Sequence, residues 1–300
     1  MSKKKSDRVV VDGWLALDKP VGLTSTQAVS RLKRIYNAQK AGHAGTLDPL
    51  ASGILPVAFG EATKTVPFVQ DGEKAYRFTV HWGVETDTDD ADGRGVRESA
   101  VRPERAAIEV LLPQFVGEIS QTPPQFSAIK IAGERAYDIA REGELVDLKP
   151  RVVKIRSLTL IDASRDEATF VMECGKGAYV RAIARDLGRV LGCFGHVTAL
   201  RRTRVGPFVE DDAYTLDEIE NQNMAAEALL SVEAGLAELP CVVVDRDMAA
   251  RLRRGGSVIL RGRDAPHEGI VYAACGGVPV AFGEIVQGAL APARVFNLPF

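Results

Sequence analysis

The segment GHAGTLDPLASGILPVAFGEATK, residues 42–64, is apolar and nearly uncharged through its middle, residues 44–60, yet that middle carries one acid, Asp48, between Leu47 and Pro49. Gly42, Gly45 and Pro49 suit a bent loop, and the run from Ile54 to Phe59 reads as a buried strand or short helix. A carboxylate held by a tight loop against apolar neighbours loses hydration, so it either takes a cationic partner or has its pKa raised. Asp before Pro also serves as a plain turn cap. The density of constrained residues around Asp48 favours chemistry instead, as a nucleophile or a general base.

Further short motifs flank this loop. Leu17-Asp18-Lys19-Pro20 with Gly22-Leu23-Thr24-Ser25 precedes it, and Thr86-Asp87-Thr88-Asp89 with Gly93 follows. Gln121-Thr122-Pro123-Pro124 with Ser127-Ala128-Ile129-Lys130 comes next, then Gly177-Ala178-Tyr179-Val180-Arg181 and Leu200-Arg201-Arg202-Thr203. With G-H-x-G-T-L-D-P at residues 42–49, this order resembles the TruB family of tRNA pseudouridine synthases. The match runs from about Gly13 to about Phe208, roughly two thirds of the chain. Ala178 departs from the pattern, which usually has a hydroxyl residue there; that bears on one local hydrogen bond and on no catalytic role.

The resemblance implies an α/β (α+β) fold: a pseudouridine synthase domain with a mostly antiparallel mixed sheet flanked by helices, plus a small β-rich, PUA-like C-terminal domain. It implies a tRNA substrate modified at the T-loop uridine, position 55, with no metal and no organic cofactor. Asp48 is then the nucleophile and Arg181 its ionic partner, since a guanidinium orients a buried carboxylate through charge-assisted hydrogen bonds. Tyr76 stacks on the extruded uracil, Tyr179 lines the pocket and Leu200 packs on the base. Extruding a uridine leaves a gap in the RNA stack, which His43, five residues before Asp48, is placed to fill. Lys19, Lys64 and the pair Arg201-Arg202 contact phosphate or support the loop. Two rivals remain: a non-catalytic tRNA-folding chaperone, which would not need Asp48, and a guide-dependent pseudouridine synthase subunit.

Composition is consistent with this. Three hundred residues, 46% hydrophobic, suffice for one large domain or two modest ones. Cys174, Cys193, Cys241 and Cys275 are widely spaced and read as reduced core thiols; the four histidines are equally scattered, so no metal site is expected. No stretch approaches membrane-spanning length, and the chain reads as a cytoplasmic monomer. Net charge is −2, but residues 176–204 hold seven basic residues against one acid, residues 207–240 hold nine acids and no Lys or Arg, and residues 251–263 hold five arginines. Such patches suit an RNA binder with a defined face.

Along the chain, residues 1–11 read as a flexible basic tail, 12–238 as the catalytic domain and 239–300 as the RNA-binding module. Residues 14–18 read as a strand, and Thr24 or Ser25 as the cap of a helix to Tyr36. Residues 75–82 alternate as a half-buried strand. The acidic stretch 85–92 lacks calcium-loop spacing and reads as an exposed hairpin tip. Residues 103–112 suggest a helix; Lys130, Arg135 and Arg141 decorate a long excursion that suits a clamp over a ligand or a surface helical hairpin, and the resemblance implies that 122–148 is a thumb-like insertion that contacts RNA. Strands are expected at 151–162 and 167–174. A helix at 177–191 has Tyr179, Ile183, Leu187 and Val190 on one face and Arg181, Arg185 and Arg189 opposite. An acidic helical linker follows Pro207.

Overall fold

The computed structural model describes residues 8–127, 130–131, 134–135, 148–220, 222–260 and 266–299. The chain first forms β1 (Gly13–Lys19), β2 (Ala41–His43), β3 (Ala51–Phe59) and β4 (Lys74–Trp82). A hairpin, β5 (Val84–Thr86) with β6 (Gly95–Glu98), leads to β7 (Gly117–Gln121) and the short pair β8 (Lys130–Ile131) and β9 (Glu134–Arg135). Then come β10 (Arg151–Ala163), β11 (Glu167–Cys174), β12 (Gly195–Val205), β13 (Phe208–Val209) and β14 (Tyr214–Thr215). The order β14-β1-β3-β12-β4-β11-β10-β7 is the spine of a ten-stranded sheet, with β2 beside β3 and β13 beside β12. Its pairs are antiparallel except β1 with β14 and β3 with β12.

Helices cover the sheet where the sequence period changes. In α1 (Ser25–Ile35), Thr24 and Gln27 form a capping box, and Ala28, Val29 and Leu32 are buried. Next come α2 (Val66–Asp71), α3 (Arg105–Leu111) and α4 (Val180–Val190). On β4, Phe78, Val80 and Trp82 are buried while Arg77 is exposed, the alternation expected of a half-buried strand.

The parallel contact between β3 and β12 positions the site. Ala51, Ser52 and Gly53 pair with Leu200, Arg201 and Arg202. Gly53 has φ of +97°, and a Cβ there would lie 2.2 Å from the Arg202 carbonyl oxygen, so only glycine lets the strands meet. On its other side β12 sets Arg202 opposite Tyr76 and Leu200 opposite Phe78. The loop entering β3, the middle of β12 and the start of β4 therefore converge at mid-sheet.

Several sequence expectations need correction. The 85–92 stretch does begin a hairpin, but Glu85, Thr86, Asp89 and Asp90 are buried, because α4 supplies a guanidinium to each of the three acids. Both faces of α4 are consequently covered, while Val190 is exposed and Tyr179 is the residue before the helix. The segment after Pro207 is not a linker: β14 joins the sheet edge, and Leu216 and Ile219 of α5 (Leu216–Glu220) enter the core beside α6 (Gln222–Glu227). Within the tail, Val9 exchanges backbone hydrogen bonds with Asn37 and Gln39. Cys241 is exposed, unlike the other three cysteines. The side chains of Lys130, Arg135 and Arg141, and the arginines at 261 and 263, lie outside the described residues.

From Cys241 the chain builds a second, five-stranded sheet of β15 (Cys241–Val243), β16 (Val258–Ile259), β17 (Gly269–Cys275), β18 (Val278–Val286) and β19 (Ala289–Val295). Ala249 and Leu252 of α7 (Arg246–Arg253) pack into its core. Among the described residues, no helix is long and apolar enough to cross a membrane.

Candidate active site

Asp48 sits in the loop that leads into β3, and neighbouring elements fasten that loop. Ser25 is buried at the start of α1; its hydroxyl donates to the Leu47 carbonyl at 3.0 Å and accepts from the Leu47 N–H at 2.8 Å. The Gly22 N–H donates to the Pro49 carbonyl at 2.7 Å. Beneath the loop, Arg202 donates to the carbonyls of Ile54 (2.8 Å), Gly45 (3.0 Å) and Thr46 (3.3 Å). Burial lowers the Arg202 pKa, so an internal cation is held here by backbone dipoles with Tyr76 and Asp48 nearby.

Arg181 projects from the first turn of α4 and is 4% exposed. Its Nη2 lies 2.9 Å from Asp48 Oδ2 and donates to the Phe126 carbonyl at 2.8 Å. Its Nη1 donates to the Thr88 carbonyl at 2.8 Å and lies 3.3 Å from Asp90 Oδ2. One guanidinium thus ties together the Asp48 loop, the acidic hairpin and the root of the 122–148 segment. Burial raises the Asp90 pKa, with the Thr88 hydroxyl and Arg181 opposing.

Asp48, Tyr76, Tyr179, Arg181 and Leu200 all line one cavity of about 400 Å³, a volume typical of small-ligand pockets. Burial pushes the Tyr76 phenol up to about 12, with the Arg202 guanidinium opposing, so Tyr76 stays a hydroxyl at neutral pH. Burial likewise raises the Tyr179 phenol. The Tyr179 backbone is clamped by the buried Gln121 side chain, which accepts from its N–H at 2.8 Å and donates to its carbonyl at 3.2 Å. With Asp48 held by the Arg181 guanidinium and Leu200, Tyr76 and Tyr179 in the same wall, the cavity can receive a planar polar base and act on it from one side.

Three candidates stand outside this wall. His43 is on β2, opposite Val57 of β3. Lys19 is fully buried, and its Nζ donates to the carbonyls of Pro20 (2.9 Å) and Leu23 (2.8 Å), in the turn whose Gly22 N–H holds the Asp48 loop. Desolvation lowers its pKa to about 8, with Asp48 opposing. Of its two expected roles, this placement supports bracing the loop rather than touching phosphate. Lys64 donates to Glu61 at 2.6 Å and to the Val295 carbonyl at 2.9 Å, facing the second sheet. Of the same two roles expected of the pair Arg201-Arg202, Arg202 takes loop support, lying under the loop, while Arg201 is paired with Asp18 and Glu210.

The sequence reading missed Asp90, Ser25 and Gln121 as parts of the site. Ser25 and Gln121 stood inside the quoted motifs, and Asp90 directly follows one. None shows in sequence which group it will hold.

Comparison with known proteins identifies the family. The family model described as TruB family pseudouridylate synthase, N-terminal domain, matches residues 33–180, and that described as the tRNA pseudouridylate synthase B C-terminal domain matches residues 181–239. A curated tRNA pseudouridine synthase B of Rhodopseudomonas palustris is 57% identical over 99% of this chain and 84% of its own. Those of Bradyrhizobium diazoefficiens and Sinorhizobium medicae are 58% and 54% identical, covering 98% and 95% of this chain and 88% and 96% of theirs. The fold is shared with a solved H/ACA RNP bound to a substrate RNA containing 2′-deoxyuridine, at a TM-score of 0.75 and 24% identity over 96% of this chain and 85% of that one. A Cbf5-Nop10-Gar1 complex gives a TM-score of 0.74 at 24% identity over 99% and 91%. The chain belongs to the TruB family of pseudouridylate synthases.

Proposed function

We propose that this protein isomerises uridine to pseudouridine at position 55 in the T-loop of tRNA, with the uridine extruded into the 400 Å³ cavity and Asp48 as nucleophile. The observation that carries this is the Asp48–Arg181 pair at 2.9 Å, set in the wall of a cavity that also presents Tyr76, Tyr179 and Leu200. The curated relatives' shared name, tRNA pseudouridine synthase B, supports tRNA as the substrate class.

The reaction breaks the N1–C1′ bond, turns the uracil within the pocket and joins C5 to C1′. A proton leaves C5 and N1 gains one, so atoms balance without oxidant or water. Asp48 opens the sequence at uracil C6, at C1′, or by taking a ribose proton; each route needs its carboxylate at the base and ribose. Arg181 keeps that carboxylate aimed, fixed in turn by Asp90 and two backbone carbonyls. Tyr76 enters as a phenol that stacks on the uracil, and the adjacent Arg202 charge steadies its oxygen if the C5 proton passes there. Closure around the base keeps the freed uracil from water. His43 fills the gap in the RNA stack, and the second sheet serves as a PUA-like RNA-binding module. The protein works as a cytoplasmic monomer.

The test follows tritium release from unmodified tRNA labelled at uridine C5. Wild-type protein should release one tritium per tRNA. Asp48→Asn, or a tRNA with cytidine at the T-loop position, should release none. Release unaffected by Asp48→Asn would overturn the assignment. Tight binding without release would favour the chaperone or a guide-dependent subunit.

A further inference from the structure

Of the seven basic residues between 176 and 204, the six arginines are turned to protein partners. Lys176 differs. It sits in the turn between β11 and α4 and its side chain is 69% exposed. Its Nζ lies 3.0 Å from Asp71 Oδ2 at the end of α2, and Asp71 is 61% exposed. Both residues line the cavity that holds Asp48, so the pair spans its mouth.

The two lips are built. On one, the buried Lys74 Nζ takes the carbonyls of Gln70 and Gly72, fixing the backbone on either side of Asp71. On the other, the Gly175 N–H donates to the Lys154 carbonyl at 2.8 Å, and Gly177 turns the chain with φ of +84°. The other cavity-lining cations, Lys74, Arg181 and Arg202, are at most 7% exposed and committed to protein groups.

A nucleotide whose base enters this cavity leaves its phosphates at the mouth, where only Lys176, among the described lining cations, is open to meet one. We propose that Lys176 contacts the backbone phosphate of the extruded nucleotide, and that Asp71 is a resident competitor that holds Lys176 at rest and reclaims it as product leaves. This rests on the reading that the chain acts on RNA. The exchange is easy because an exposed ion pair contributes little to stability, whereas an ammonium–phosphate contact releases condensed counterions.

The test measures tRNA affinity across a salt series, together with single-turnover tritium release at saturating tRNA. Lys176→Gln should weaken binding about tenfold at low salt and reduce the log–log salt slope by about one. Its saturated rate should stay within about twofold of wild type, and Lys176→Arg should restore the slope. Asp71→Asn should tighten binding about threefold, because no carboxylate then competes. An unchanged slope for Lys176→Gln, or weaker binding by Asp71→Asn, would overturn the proposal. Wild-type tritium release reports on the isomerase reading and the slope difference on Lys176, so either can fail alone. If Lys176→Gln does not fold, the Asp71→Asn arm still decides.

Discussion

Arg201 and Arg202 are adjacent in sequence and end up with opposite employment. Successive side chains on a strand point to opposite faces, so Arg201 meets Asp18 and Glu210 while Arg202 passes under the Asp48 loop to three carbonyls. A lysine has one ammonium and cannot serve carbonyls spread over that fork. Arg202→Lys should therefore cost about 2–4 kcal/mol through buried carbonyls left without donors. Urea unfolding reads this directly, and a loss below about 0.5 kcal/mol would show that the loop holds itself. Asp90→Asn tests the other side of the site. Arg181 keeps its carbonyl anchors but loses one carboxylate, so the saturated single-turnover rate should fall at least about tenfold, with tRNA affinity within about twofold. Equal losses in both would mean that the whole pocket had collapsed. At this scale the motif residues were legible: Asp48, Tyr76, Tyr179, Arg181 and Leu200 were all named from sequence, and the structure gathers them round one cavity. The anchoring by Arg202 was not, because a pair of arginines in a basic run looks the same whether it faces phosphate or carbonyl.

The pairing of α4 with the acidic hairpin shows the same limit for whole elements. Arg181, Arg185 and Arg189 recur every four residues on one helix face, and Asp90, Asp89 and Glu85 meet them in reverse order. Charge made the hairpin look solvated, since burial of acids depends on partners about a hundred residues away in sequence. Strands β1, β4, β10 and β11 and the capped helix α1 were readable because their signals, short apolar or alternating runs and an N-cap residue, are local. Within the ladder, burial pushes the Asp89 carboxyl up to about 6, with Arg185 and Arg181 opposing. The folded state then binds that proton more tightly than the unfolded chain does. Its contribution to stability is therefore largest at low pH and is lost as pH rises through about 6. Asp89→Asn has no such proton. Between pH about 7 and about 5, wild type should gain on the order of 1 kcal/mol relative to the variant in urea unfolding. A difference that stays flat, or that runs the other way, would mean that Arg185 outweighs desolvation.

The two sheets share an apolar seam: Tyr272, Phe282 and Phe296 from the second pack into the cluster around Trp14, Phe68 and Phe208 from the first. Phe68 and Phe282 meet edge to face with centroids 4.8 Å apart. Polar ties flank them, from Lys64 to the Val295 carbonyl and from the Asn297 N–H to Glu61 Oε2 at 2.8 Å. The change of texture at Cys241 revealed a second unit in the sequence, but aromatic residues carry no mark of which core they will fill. A seam that supplies part of the first sheet's core couples the unfolding of both units, so calorimetry should show one transition. Phe282→Ala should cost about 2–3 kcal/mol by opening a cavity at this seam, lowering Tm by about 5 °C. The transition should move as a unit, because weakening the seam removes packing from both sides at once. Single-turnover tritium release at saturating tRNA should be unchanged, since every described residue lining the cavity belongs to the first part of the chain. Two separated transitions in the wild type would refute the coupling. A slowed saturated rate in Phe282→Ala would mean instead that the second sheet bears on the Asp48 loop, through β1 and the segment that carries Lys64.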